Sequence, residues 1–359
     1  MSVIENILLS RNLPDLLSFA DGKNVTFENW SKRKDEILSI LSNEIYGTAP
    51  DAPQNITFEK TNAIGKYGNF AGKAYTNEVN ITFDTENGKF TIPCVEIVPK
   101  SSKKIPVFIN INFRPDIPDR YLPVEEIIDE GYAIVRLYYN DVALDENDNF
   151  EGGIASKYDR KKYTWGKIRM WAWAISRIID YLYTTDYADT NKIAVVGHSR
   201  LGKTALVCSA FDERVCLACS NDSGCSGDAI TRNKKGEHIA DIIKVFPFWF
   251  CENYKKYVNN EDALPFDQHF LIAASAPRRV SLGAALNDEW ADPESQYLGA
   301  CAASAAWELL SENGFIHPDR LPNVNECFNE GKLSYHLRSG DHFLSRTDWL
   351  FYLDDMKKL

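Results

Sequence analysis

The chain contains no run of eighteen apolar residues, so no transmembrane helix is expected. Its first residues, MSVIENILLSRNLPDLL, lack a basic n-region and a small-residue cleavage site and do not read as a secretory signal. Basic charge is not in surplus. Lys and Arg number 40 against 51 Asp and Glu, a net charge of -11, which argues against nucleic acid or an anionic membrane surface as a partner. Neither an internal repeat nor a low-complexity linker interrupts residues 1–359, so one domain is expected. Cys216 and Cys219 have C-x-x-C spacing, but no second pair or nearby histidine completes a zinc set. In a strand those two side chains would face opposite sides. The eight cysteines lie mostly inside apolar runs, as buried free thiols do in a reducing compartment, and a cytoplasmic location is expected. No metal or other cofactor is expected.

What is present is an ordinary globular composition, 44% hydrophobic and 25% charged over 359 residues. Residues 27–46 have helical spacing, and two alternating segments near 55–60 and 79–99 predict antiparallel strands, the second folding as a hairpin at Glu86-Asn87-Gly88. Together, 1–100 reads as an N-terminal helix and antiparallel strands at one edge of a sheet. Strands and helices then alternate: strands at 105–112, 132–139, around 193–196, 215–222, 278–288 and 333–342, with a long buried helix over 164–184 and further helices near 295–313 and 344–356. This pattern predicts an α/β protein, a three-layer αβα sandwich around a mostly parallel sheet. Residues 223–270 form a long excursion between two strands, an insertion expected to lie over the carboxyl ends of the strands as a substrate lid.

The segment Lys192–Leu206, KIAVVGHSRLGKTAL, carries the chemistry. An apolar strand, Ile193–Val196, runs into a tight turn at Gly197-His198-Ser199-Arg200 and then a helix-forming run. A serine on a sharp strand-to-helix turn is the nucleophile elbow of α/β hydrolases, with helix N–H groups aimed at charge developing beside the hydroxyl. One glycine is displaced: Leu201 stands where G-x-S-x-G has its last glycine, and Gly202 follows.

In this fold the triad runs serine, acid, histidine along the chain. Only six histidines exist. His198 belongs to the elbow, His238 and His269 to the insertion, His317 to a polar stretch, and His336 to the alternating strand LSYHLRS. His342 follows the last strand in a turn, where a general base can reach Ser199. Asp288 ends the strand VSLGAALND, the usual acid position, and Asp222 ends the preceding one. Either could orient His342, with Glu289 as an outside candidate; the strand-end position favours Asp288. The oxyanion donors expected are the backbone N–H of Arg200 and one near Phe113, after the strand ending at Asn112. The Arg200 guanidinium, beside the nucleophile, could add a charged donor.

Gly197-His198-Ser199-Arg200-Leu201-Gly202-Lys203 resembles the G-x-S-R-x-G-K signature of the glucuronoyl esterases, carbohydrate esterase family fifteen. The displaced glycine belongs to that signature. The resemblance extends through Trp171–Arg177, Asp222-Ser223-Gly224, Gly236-Glu237, FPFWF at 246–250, LPFDQH at 264–269 and DEWADP at 288–293. It implies Ser199 as nucleophile, His342 as base and Arg200 as oxyanion donor, with Lys203, Glu237 and Trp290 gripping a glucuronate ring. Lys203 taken alone is more often a solvated helix residue, and Trp290 more often core. Two departures stand out: Asp222 replaces a frequent Glu, and Phe248 a frequent His. The implied activity is hydrolysis of (4-O-methyl-)glucuronic acid esters, from glucuronoxylan fragments or lignin–carbohydrate esters. The same-class alternative is an acetylxylan esterase or other deacetylase acting on acetylated xylo-oligosaccharide. A non-catalytic carbohydrate-binding relative is the different-class alternative, which an intact Ser199 and His342 disfavour.

Overall fold

The computed structural model describes residues 2–359. Ten strands form one sheet: β1 Ile56–Asn62, β2 Ala74–Thr85, β3 Gly88–Pro99, β4 Ile105–Asn112, β5 Ala133–Tyr138, β6 Ala188–His198, β7 Leu217–Asn221, β8 Arg279–Ala285, β9 Glu326–Phe328 and β10 Leu333–Arg338. Their order is β1-β2-β3-β5-β4-β6-β7-β8-β10-β9. From β5 through β10 every pairing is parallel, while β1, β2 and β3 form the expected antiparallel edge.

The continuous apolar strands follow from burial on both faces. Along β4, Val107, Ile109 and Ile111 pack into one core and Phe108 into the other; along β6, Ile193 and Val195 oppose Ala194 and Val196. The helices Trp30–Leu41, Lys167–Leu182 and Arg200–Phe211 cover the larger core. Val124–Asp129 and Arg346–Lys357 cover the smaller. This is the three-layer αβα sandwich predicted from the alternation.

Three elements differ from the expectation. The helix foreseen over 27–46 is Trp30–Leu41, entered by a 3-10 turn and ending in a π turn over Ser42–Tyr46. The helix foreseen over 295–313 begins at Pro293, behind an Asp292 cap, and breaks after Ala303 into the short Ala305–Leu309. The far edge is antiparallel as well, because the three-residue β9 pairs with β10. No helix among the described residues is long and apolar enough to cross a membrane. All eight cysteines are free thiols, five of them buried.

Candidate active site

The carboxyl ends of β6, β7, β8 and β10 deliver the site. Ser199 follows β6 with φ 57° and ψ -126°, a conformation in which an L-residue is strained. Backbone packing holds it there. A Cβ on Gly197 would lie 2.0 Å from the Leu201 carbonyl oxygen, so only glycine lets the first helical turn fold back that closely. The Ser199 N–H donates to the Asn221 carbonyl at the end of β7 (2.8 Å). Gly202 rests on that same carbonyl, with 3.0 Å available for an added Cβ. The displaced glycine therefore seats the helix against β7, while Leu201 is fully buried.

His342 lies in the turn after β10. Its Nδ1 bonds Asp288 Oδ2 at 2.6 Å, which leaves Nε2 unengaged by the carboxylate; the imidazole is 43% exposed and the carboxylate 5%. Burial alone would raise the Asp288 carboxyl, but the hydrogen bond and charge of His342 outweigh it, and the group sits below the usual carboxylate range. Asp222 does something different. One oxygen accepts the Ala285 N–H (2.8 Å), and the other faces Arg338 and the Phe343 N–H, each at 3.4 Å. Burial, with Asp348 and Asp288 nearby, pushes its carboxyl well up. Arg338 also donates to the carbonyls of Ser339 (3.0 Å), Asp341 (3.1 Å) and Phe343. Asp222 and Arg338 thus pin the loop that presents His342. Donor atoms of Asp222, Asp288 and His342 lie within 4.8 Å of one another.

His198, assigned by sequence only to the elbow, packs against His342, the rings tilted by 43° with centroids 4.4 Å apart. Its Nδ1 meets the Asn221 side-chain oxygen at 2.6 Å. Burial, reinforced by His342, pulls its pKa down to about 3, so it is neutral.

A cavity of about 340 Å³ brings together Ser199, Arg200, Lys203, Asp222, Glu237, Asp288, Trp290 and His342. Glu237, Phe246 and Trp249, from residues 223–270, also line it. Trp290 is 56% exposed, its ring free for a ligand, and its carbonyl accepts the Glu237 N–H at 2.9 Å. Lys203 is buried rather than solvated. Its ammonium donates to the Ser223 carbonyl (2.5 Å), and burial lowers its pKa against the opposing charge of Glu237. Phe113 is not in the cavity wall; its ring lies under the Arg200 guanidinium, 5.4 Å from the centroid. Phe248 packs beneath the buried Lys167 ammonium at 5.0 Å and does not reach the cavity. Glu289, the outside acid candidate, is likewise absent from the wall.

Sequence reasoning missed Asp145, which pairs with Arg200. It sits in DENDN, a run indistinguishable from an exposed polar loop. Chemically, the ensemble offers a serine hydroxyl, a histidine–carboxylate pair and two cations around one cavity, which fits acyl transfer.

The family described as glucuronyl esterase, fungi, matches residues 79–311. A carbohydrate esterase of an unknown prokaryotic organism is 33% identical, over 95% of this chain and 88% of its own. The 4-O-methyl-glucuronoyl methylesterase 1 of Wolfiporia cocos is 31% identical, over 88% and 76% respectively. Among solved structures, the glucuronoyl esterase from Solibacter usitatus superposes with a TM-score of 0.87 at 31% identity, covering 96% of this chain and 97% of that one. The strained Ser199, the displaced Gly202 and these matches agree, and the chain belongs to the glucuronoyl esterase family of carboxylic ester hydrolases.

Proposed function

We propose that this protein cleaves esters of (4-O-methyl-)glucuronic acid, releasing the alcohol from the uronate carboxyl. The observation that carries the reading is the convergence of Ser199, the His342–Asp288 pair and the cations Arg200 and Lys203 on one cavity. A lipase-like esterase has no use for two cations beside its serine; a hydroxyl-rich uronate does.

In this mechanism His342 Nε2 takes the Ser199 proton as Oγ attacks the ester carbon. Asp288 holds the tautomer through Nδ1 and stabilises the imidazolium. The Arg200 N–H, at the helix N-terminus, and its guanidinium receive the oxyanion, each donor being worth about 3 kcal/mol in the barrier. His342 then protonates the departing alcohol, and water repeats the sequence on the acyl-enzyme. Glu237, Lys203 and Trp290 hold the sugar, the indole by stacking. Glucuronoxylan fragments and lignin–carbohydrate esters present this group. The free thiols suit a reducing compartment, and we place the activity in the cytoplasm on that ground.

The test compares benzyl glucuronate with acetylated xylo-oligosaccharide. Turnover of the uronate ester, abolished in Ser199→Ala, is the expected outcome. Hydrolysis of the acetyl ester alone would show a deacetylase, and activity surviving in the serine variant would remove the elbow from the chemistry.

A further inference from the structure

Arg200 is confined by a constellation outside the triad. Its guanidinium carbon lies 4.7 Å from the Trp249 ring centroid, 5.3 Å from Phe246 and 5.4 Å from Phe113. The stacked pair Phe246 and Trp249 and the ring of Phe113 border it, while 26% of the Arg200 side chain stays exposed. One carboxylate, Asp145, fixes its direction. Asp145 Oδ2 accepts from Arg200 and, at 3.3 Å, from the Tyr139 hydroxyl; Oδ1 accepts the Trp249 indole N–H at 2.6 Å. The Asp145 side chain is 7% exposed.

The loop carrying Asp145 is itself pinned. Lys167, fully buried at the start of the helix Lys167–Leu182, donates to the Leu144 and Glu146 carbonyls, each at 2.6 Å, and to Asp148 at 2.7 Å. The first two are the peptide oxygens on either side of Asp145. Trp171, one turn along, donates to the Ala143 carbonyl at 3.0 Å. Asn140 accepts the Asp145 N–H at 2.9 Å. The buried ammonium is paired with the Asp148 carboxylate and fully hydrogen-bonded, so it holds the chain rigidly on both sides of Asp145.

We infer that Asp145 is a positioning residue that aims the Arg200 guanidinium at the oxyanion and, through Trp249, locks the 223–270 insertion to the same carboxylate. Asp145 does not touch the substrate. It bonds the guanidinium at Nη1 and so fixes its orientation beside the serine before substrate arrives, and no reorganisation is needed as charge develops. The inference rests on Arg200 acting as an oxyanion donor.

The experiment is a double-mutant cycle with R200A and D145N, read on benzyl glucuronate at saturating and limiting concentration, with thermal melts on every variant. R200A is expected to lower kcat by about 100-fold or more, and D145N by about tenfold, with KM moving less. In the R200A background D145N is expected to change kcat less than about twofold, because it acts through the missing group. Multiplicative losses, or a D145N enzyme with unchanged kcat, would overturn the assignment while leaving Arg200 in place. An R200A enzyme with full turnover would overturn the oxyanion reading and Asp145's role with it. Should D145N not melt cooperatively, D145S is run through the same cycle under the same criteria. An aryl ester of glucuronate, with its better leaving group, keeps the slowest variant measurable.

Discussion

Asp288→Asn tests which carboxylate serves His342. The amide keeps the shape of the side chain but offers the wrong partner to Nδ1, so the imidazole loses its tautomer and its counter-charge. Where nothing replaces the acid of a triad, turnover falls by about 10⁴, or about 5 kcal/mol of barrier. The structure contains one potential substitute, since Asp222 lies within 4.8 Å of both His342 and Asp288. Its oxygens, however, are committed to Ala285, Arg338 and Phe343, and burial disfavours its charged form. Rescue is therefore small, and a loss of about 10³ to 10⁴ in kcat is expected. Asp222→Asn keeps an acceptor for the Ala285 N–H and loses the charge facing Arg338. It is expected to cost less than about tenfold in kcat and about 1–3 kcal/mol in stability, as the His342 loop loosens. Initial rates on benzyl glucuronate, paired with thermal melts, separate the two effects. A larger loss of turnover in Asp222→Asn than in Asp288→Asn would refute the assignment of Asp288.

Two further outcomes follow from the same geometry. His198 and His269 are pulled down by burial to about 3 and about 4, below an unfolded value near 6.5, so unfolding takes up protons between. Stability is complete above about pH 6.5 and falls as pH drops, by about 1.4 kcal/mol per unit for each fully titrating histidine. Melting temperature against pH is expected to show that slope, shallower in His198→Phe, and a slope of opposite sign would contradict the burial argument. Gly197→Ala, meeting the Leu201 carbonyl at 2.0 Å, is expected to destabilise by about 3 kcal/mol or more, with loss of activity. Gly202→Ala, with 3.0 Å to its neighbours, is expected to fold with a smaller penalty. Equal melting temperatures for the two would contradict the packing described at the elbow.

The strands were legible because burial on both faces writes continuous apolar runs, and Ile105–Asn112 has the predicted bounds. Glu326–Phe328 left no such signature, being three residues long and only partly buried. The helix Val3–Ser10 was overlooked although its signal is present: Ser2 and Glu5 form a capping box, S-x-x-E, before an apolar run. In the site, chain order and elimination among six histidines lead to His342, since both are read from the order of residues along the chain. Two roles resisted sequence reasoning because distant residues create them. Asp145 gains meaning only from Arg200 and Trp249, 55 and 104 positions away. His198 is a plain turn residue until His342 folds back onto it.

The two ends of the sheet bear on how the molecule behaves in a crowded solution. A strand without a neighbour presents unpaired amides to which another chain can add. Here one terminal strand, β9, is only three residues long, and the other, β1, carries Glu59 and Lys60 and is mostly exposed. The eight inner strands are thus bounded by a stub and by a charged border. The chain can hold a sheet this wide and still offer little template for aggregation at high concentration.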